Sequence, residues 1–262
     1  MNSLLRSLEC DGYATIRDWG LPMAFIDDLA KEAFVNIDLR AKELARTKKD
    51  WKSQNKPIVL SSGAQLKTLE TSLGQTFWQN STLLRTAVQY LGPGAELAGY
   101  ETLHLSNELK SVSQYLSGRW HHDRCGARLK TFLFLHNVSS AGSRPTQVAR
   151  GSHKTLYWSY HDLSQSRFSD SWVESNYEIA SMGGPKGGGF ILDTNALHRG
   201  VVQGDAPRTV LILEFNNARK DAALLRTQST FRLKTKQGFP CPSRFLHVLK
   251  RSARDVLGAK FR

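Results

Sequence analysis

The sequence predicts a mainly β chain, an antiparallel double-sheet jelly roll preceded by helices, and two observations carry that reading. Beyond Gly92-Pro93-Gly94 the texture changes from helical spacing to short β-like runs at 95–106, 130–138, 177–182, 189–192 and 208–215. Turn-rich pieces, chiefly 139–145 and 183–189, separate those runs, as expected where strands fold back on one another in two packed sheets.

Ahead of the boundary, Met23, Phe25, Ile26, Leu29, Ala30 and Phe34 recur near helical spacing, with Pro22 suited to a first turn, which predicts a helix over 21–36. Residues 40–56 are rich in Lys and Arg and carry Trp51 as their main large apolar residue, so they read as an exposed continuation or a loop. A second helical region spans 66–91, broken near Gly74 and Asn80. After the last strand, Leu224, Leu225, Phe245, Leu246, Val248 and Leu249 alternate with basic residues and predict a basic amphipathic helical extension. A chain of 262 residues allows one large barrel or two small domains. Since no repeat, low-complexity tract or long linker divides it, the reading is one domain: a helical N-terminal segment over 1–94, a jelly-roll core over 95–217 and a basic extension over 218–262.

No apolar stretch approaches a membrane span, and the first dozen residues lack the apolar run of a secretory signal, so an intracellular, cytoplasmic protein is expected. Cys10, Cys125 and Cys241 are odd in number and far apart, which predicts free thiols. The net charge of +13 implies an anionic partner without choosing among nucleic acid, an acidic surface and a small acid. The glycines around 183–189 include no phosphate-loop pattern and read as a turn between sheets.

The chemistry concentrates in two places. Trp120-His121-His122-Asp123 contains an H-x-D pair whose outer members share one face of a strand. His198 follows in an apolar strand running into a turn, and two histidines with one carboxylate form the facial set that leaves positions open on iron(II). Arg208 opens the strand after that, where a buried guanidinium suits a carboxylate fork better than Lys. For His104, His136, His153, His161 and His247 the structural reading, a satisfied hydrogen-bonded group, is preferred.

These stretches, with Pro145-Thr146-Gln147-Val148-Ala149-Arg150-Gly151-Ser152-His153-Lys154 between them, resemble the phytanoyl-CoA dioxygenase family of iron(II) and 2-oxoglutarate oxygenases. The similarity covers roughly 95–217. It implies a double-stranded β-helix, with Fe(II), 2-oxoglutarate and O2 as cofactor and co-substrates. His121, Asp123 and His198 would be the metal ligands, Arg208 the clamp on the 2-oxoglutarate C5 carboxylate, and Thr131 a further co-substrate contact. Two departures stand out: Arg150 where the family turn has Pro, and Gly200 where it often has a small hydroxyl residue. Related halogenases lack the carboxylate that Asp123 keeps, so oxygen chemistry is favoured.

Arg119, Arg124, Arg128 and Arg199 lie close to a ligand in sequence, and the aromatic loop of Tyr157, Trp158, Tyr160, Phe168 and Trp172 could cover the mouth, with Trp158 touching substrate. That combination predicts a small anionic substrate, such as an amino-acid-derived natural-product intermediate. The alternatives are a CoA-linked or carrier-linked acyl group, nucleic acid bound by the basic flanks, and a non-catalytic jelly-roll binding module. A monomer or homodimer without membrane association is expected.

Overall fold

The computed structural model describes residues 3–47, 59–123, 127–154 and 167–220. The basic stretch around Trp51 and the predicted C-terminal helical extension lie outside those residues. Helix α1 (Ser3–Asp11) ends at Gly12, which turns the chain into strand β1 (Tyr13–Ile16). Helix α2 (Met23–Thr47) and strand β2 (Val59–Ser62) follow. Three short helices, α3 (Lys67–Ser72), α4 (Thr76–Gln79) and α5 (Thr82–Leu91), occupy the second predicted helical region, interrupted around Gly74 and at Asn80 as expected. The Ser81 side chain accepts the Leu84 N–H to open α5, and Gly92 at positive φ closes it.

The rest is mainly strand: β3 (Glu96–Leu105), β4 (Trp120–His121), β5 (Arg128–Phe134), β6 (Thr146–Ala149) and β7 (Arg167–Phe168), then helix α6 (Asp170–Asn176), then β8 (Ile179–Met182), β9 (Gly189–Asp193), β10 (His198–Gly200) and β11 (Arg208–Asn216). They form a major sheet in the order β1-β9-β5-β11-β3-β2 and a minor sheet in the order β7-β4-β10-β6-β8, with antiparallel neighbours throughout. This is the predicted double-stranded β-helix with helices against one sheet.

Alternation along the major-sheet strands divides the core. Leu129, Leu133, Ile191, Leu211, Leu213 and Phe215 point toward the helices, where they meet Leu8, Ile26, Leu29, Trp78 and Leu83. Phe132, Phe134, Phe190, Leu192, Val210 and Ile212 point into the barrel, with Phe132 stacked on Phe190 at 4.4 Å between ring centroids. A third cluster, Trp120, Ala149, Val173 and Leu197, lies between the outer face of the minor sheet and α6.

Four strands and two helices were not anticipated. β1 and β2 are edge strands of four residues, too short to declare a period. β7 has two residues, and β6 is hidden by its polar turn residues. α1 and α6 are likewise short. Helix α2 extends well past 36, so much of the stretch read as exposed continuation or loop is helical.

Gly189 marks where the sheet leaves least room: a Cβ there would stand 1.9 Å from the Phe132 carbonyl oxygen. The atoms met are β5 backbone, which cannot yield cheaply, so Gly189→Ala should destabilise by about 2–4 kcal/mol. Urea unfolding checks this; a midpoint equal to wild type would show that the β5–β9 pair relaxes at no cost.

Candidate metal centre

β4 and β10 pair antiparallel with His198 directly opposite His121, so both rings leave the minor sheet on its barrel face. Their centroids are 4.3 Å apart. Asp123, just past β4, brings Oδ1 to 3.9 Å from His121 Nε2 and Oδ2 to 3.8 Å from His198 Nε2. One ligand atom from each of the three lies within 4.8 Å of the others, which makes them a group that could hold a metal ion. Sequence analysis named the same three residues.

The far side of each ring is fixed by backbone. His121 Nδ1 lies 2.8 Å from the Arg119 carbonyl, and His198 Nδ1 lies 3.0 Å from that of Ala196. A neutral ring whose Nδ1–H donates to a carbonyl presents the Nε2 lone pair, the form a metal needs. Burial depresses both histidines, His121 well below the usual range, with the His198 ring adding to the effect on His121. For Asp123, burial favours the neutral acid, but His198, Lys130 and His121 together outweigh it and hold the carboxyl well below its usual range.

Two turns set this geometry. In Asp193-Thr194-Asn195-Ala196, the Asp193 carboxylate accepts from Asn195 N at 2.8 Å, Asn195 Nδ2 at 2.7 Å and the Tyr90 hydroxyl at 2.7 Å. The same turn offers the Thr194 carbonyl to the Asp123 N–H and the Ala196 carbonyl to His198. In the Gly151-Ser152-His153 turn, the Ser152 hydroxyl donates to the Ala149 carbonyl at 2.6 Å and accepts the Leu197 N–H at 2.8 Å, pinning the residue before His198. His153 places Nε2 3.3 Å from the Glu9 carbonyl, and Arg150, the departure at the family's proline, pairs with Asp11 and Glu178 on the outside.

Arg208 is buried on the barrel face and donates to Thr146 Oγ1 at 2.6 Å, with Tyr115 as its electrostatic and hydrogen-bonding neighbour. Its Nε has no partner among the described residues. Tyr115 also explains Gly200: a Cβ at that position would stand 2.5 Å from the tyrosine ring.

Three sequence expectations are corrected. Thr131 shares the parity of Leu129 and Leu133 and faces the helices; the barrel-facing neighbour is Lys130, whose Nζ lies 2.9 Å from Asp123 Oδ2. Arg199 faces outward, one residue from His198, where it stacks 4.6 Å over Trp120 and binds Gln147, Asp170 and Glu174. Trp172 belongs to α6 and packs on Phe168 and Tyr177 outside the minor sheet, so neither Phe168 nor Trp172 forms a loop over the mouth. For Thr131 and Arg199 closeness along the chain misleads because side chains alternate across a strand. Arg128 points into the barrel but is paired with Glu214 at 2.7 Å, and Arg119 is exposed beside the site. Arg124, Cys125, Tyr157, Trp158 and Tyr160 lie outside the described residues, as do His161, Cys241 and His247; Cys10 is a free thiol.

Sequence analysis missed Lys130, Tyr115, Thr146, Asp193 and Arg167. Arg167 is the direct cross-strand partner of His121 and so shares its face. With Arg119 it lines a cleft of about 590 Å³ at the edge of the minor sheet.

No protein-family model matches the chain, and no curated protein matches it in sequence. Among solved structures it is similar to the epimerase SnoN in complex with Fe3+, alpha ketoglutarate and nogalamycin RO, at 17% identity over 82% of each chain and a TM-score of 0.58. It is also similar to EctD from S. alaskensis in its apoform, at 18% identity over 84% of this chain and 78% of that one, with a TM-score of 0.60. The same protein with 2-oxoglutarate and 5-hydroxyectoine gives 16%, 84%, 77% and 0.59. At these identities the likeness is one of fold. No helix among the described residues is long and apolar enough to cross a membrane.

His121 and His198, with His104 beside Thr209 and His136 accepting the Thr209 N–H, are all depressed by burial. An unfolded chain, with histidines near pH 6.5, then binds more protons than the folded one below that value. Stability should be full above about pH 6.5 and fall as the pH drops below it. Urea midpoints at about pH 7.5 and about pH 5.5 test the sign; an equal or higher midpoint in acid contradicts it.

Proposed function

We propose that this chain is an iron(II)- and 2-oxoglutarate-dependent oxygenase of the phytanoyl-CoA dioxygenase type that oxidises a small anionic organic substrate, with His121, Asp123 and His198 as metal ligands. The observation that carries the reading is the donor set itself: two neutral Nε2 atoms and one ionised carboxylate converge on one face, with both Nδ1 atoms occupied by backbone carbonyls. That set suits a divalent metal of intermediate softness and leaves coordination positions open. The fold neighbours support it, since SnoN is in complex with Fe3+ and alpha ketoglutarate and EctD is bound to 2-oxoglutarate in their crystal structures.

Ferrous iron with 2-oxoglutarate would supply the activation of O2, and the role of the protein is to bind, orient and exclude water. Arg208 is the proposed holder of the distal carboxylate, its guanidinium buried without a carboxylate partner and steadied by the Thr146 hydroxyl. Phe132, Phe190 and Leu192 form the dry floor on the barrel side. The backbone bonds to both Nδ1 atoms fix the ring tautomers, so no proton rearrangement is needed when the ligands engage. Hydroxylation, desaturation and oxidative ring closure all fit this arrangement. A single-domain organisation over 1–262 belongs to the same proposal.

Anaerobic addition of iron(II) and 2-oxoglutarate should produce a weak visible charge-transfer band that His198→Ala abolishes. Arg208→Ala should retain iron but weaken 2-oxoglutarate by about 30-fold to several thousand-fold, the loss typical of a desolvated charge-assisted pair. No band with wild type, together with metal stoichiometry unchanged in His198→Ala, would leave a non-catalytic jelly-roll module as the reading. Unchanged 2-oxoglutarate affinity in Arg208→Ala would move the clamp elsewhere.

A further inference from the structure

Among the described residues the barrel face carries the cations Lys130, Arg128, Arg208 and Arg167 against the carboxylates Asp123, Glu214 and Glu101, the last of which accepts the Ser61 hydroxyl. Lys130 is paired with Asp123 and Arg128 with Glu214. Arg208 faces no carboxylate; the proposed function assigns it the co-substrate. Among the described residues one guanidinium of this face remains, that of Arg167. It is half-buried, makes no ion pair with any described residue, and has its Nη1 buried without a hydrogen-bond partner. A buried, unpaired guanidinium edge costs stability unless something binds it.

Its placement is equally specific. Arg167 stands opposite His121 on the barrel face, within electrostatic reach of Asp123, His121 and His198 on one side and of Arg119 on the other. Asp123 acts on Arg167 electrostatically but makes no ion pair with it; its Oδ2 lies 2.9 Å from Lys130 Nζ. The cleft that Arg167 and Arg119 line has Val112 and Val202 as apolar walls, and the Arg199–Asp170 ion pair with Phe168 bounds it toward the outer face. Gly118 keeps the cleft edge close-packed: a Cβ there would lie 3.0 Å from both Val112 Cγ1 and Val202 Cγ1.

We infer that Arg167, with Arg119 at the cleft edge, is the subsite for the primary substrate's carboxylate, and that the substrate is a small organic acid whose apolar portion lies along Val112 and Val202. This rests on the oxygenase reading for the word substrate, but the acid-binding site is defined by residues outside the metal ligands and outside Arg208. A planar guanidinium with one edge free matches a carboxylate, and a single short acidic group satisfies both charges. Arg199 lines the outer part of the same cleft, but its guanidinium is already paired with Asp170 and Glu174.

The test uses acids and their amides as matched probes: 3-phenylpropionate, hexanoate and N-acetylphenylalanine, each beside its amide, with phenyl phosphate as a separate arm. Binding is followed by calorimetry on metal-free and iron-loaded full-length protein, so the result is readable whether or not the charge-transfer band forms. At least one acid should bind more tightly than its amide. Arg167→Gln should lose about 30-fold or more of that acid's affinity, Arg167→Lys should lose less, and Arg150→Gln, on the outer surface, should lose nothing. Because Arg167→Gln removes an uncompensated charge, its melting temperature should equal or exceed that of wild type, which separates ligand recognition from a structural role. Iron and 2-oxoglutarate binding should survive the substitution; a missing band in wild type is a failure of the oxygenase reading and leaves the acid measurement intact. Acids that bind no better than their amides, acid affinity unchanged in Arg167→Gln, or phenyl phosphate preferred over every carboxylate would each overturn the assignment.

Discussion

The pairing of His198 with His121 across two very short strands is the constraint on which the candidate centre depends. Two- and three-residue strands cannot hold a register by themselves, since a slip of one residue would turn both rings to the outer face. The register is instead imposed from outside the ladder. The Asp193 turn grips Asp123 and His198 through two carbonyls, the Ser152 hydroxyl ties Leu197 to Ala149, and Trp120 with Leu197 is anchored beneath α6. Asp193 is in turn held by Tyr90 from α5, so the helical layer reaches the turn that aims the ligands through this hydrogen bond. Every group that aims a ligand atom is a backbone carbonyl or a buried side chain with its own partner, which is how a site is kept rigid while its open side faces solvent.

The electrostatics follow from the same geometry. Burying three titratable groups side by side favours the neutral state for each, yet the carboxylate stays ionised because two imidazole rings and the Lys130 ammonium surround it. Neutral histidines beside an ionised aspartate are the protonation states in which all three can donate to a metal at neutral pH. Arg208 and Arg167 add two guanidiniums without carboxylate partners on either side of the centre. Stability alone would favour removing both, and their presence is the kind of local conflict that points to ligands.

Much of this was legible in the sequence, and what was not has a common cause. The jelly-roll class, the helical breaks at Gly74 and Asn80, and the long strands at 96–105 and 208–216 could be read because each has enough residues to show a period or carries a strong breaker. The three-residue cluster was legible because H-x-D spacing on a strand is a geometric statement. The errors at Thr131 and Arg199 arose where both faces of a strand are buried: in Arg128-Leu129-Lys130-Thr131-Phe132-Leu133-Phe134 apolar residues occupy both parities, so nothing in the pattern says which face sees the barrel. Arg167 could not be found at all from spacing, since its link to His121 spans more than forty residues and a two-residue strand.

The place of β11 in the major sheet carries a consequence for how the chain reaches this state. β11 is flanked by β3 on one side and β5 on the other, so the sheet is split into two unfinished halves until residues 208–216 have left the ribosome. Before that moment β3 and β5 each expose an unpaired edge, with Phe132 and Phe134 on one face and Leu129 and Leu133 on the other. Vectorial synthesis therefore leaves the nascent chain with adhesive edges from the time β3 and β5 emerge until β11 does, and closure comes by late insertion of one strand. Refolding should be slow and prone to intermolecular strand exchange, and a chaperone that shields those two edges would act on the step that decides yield.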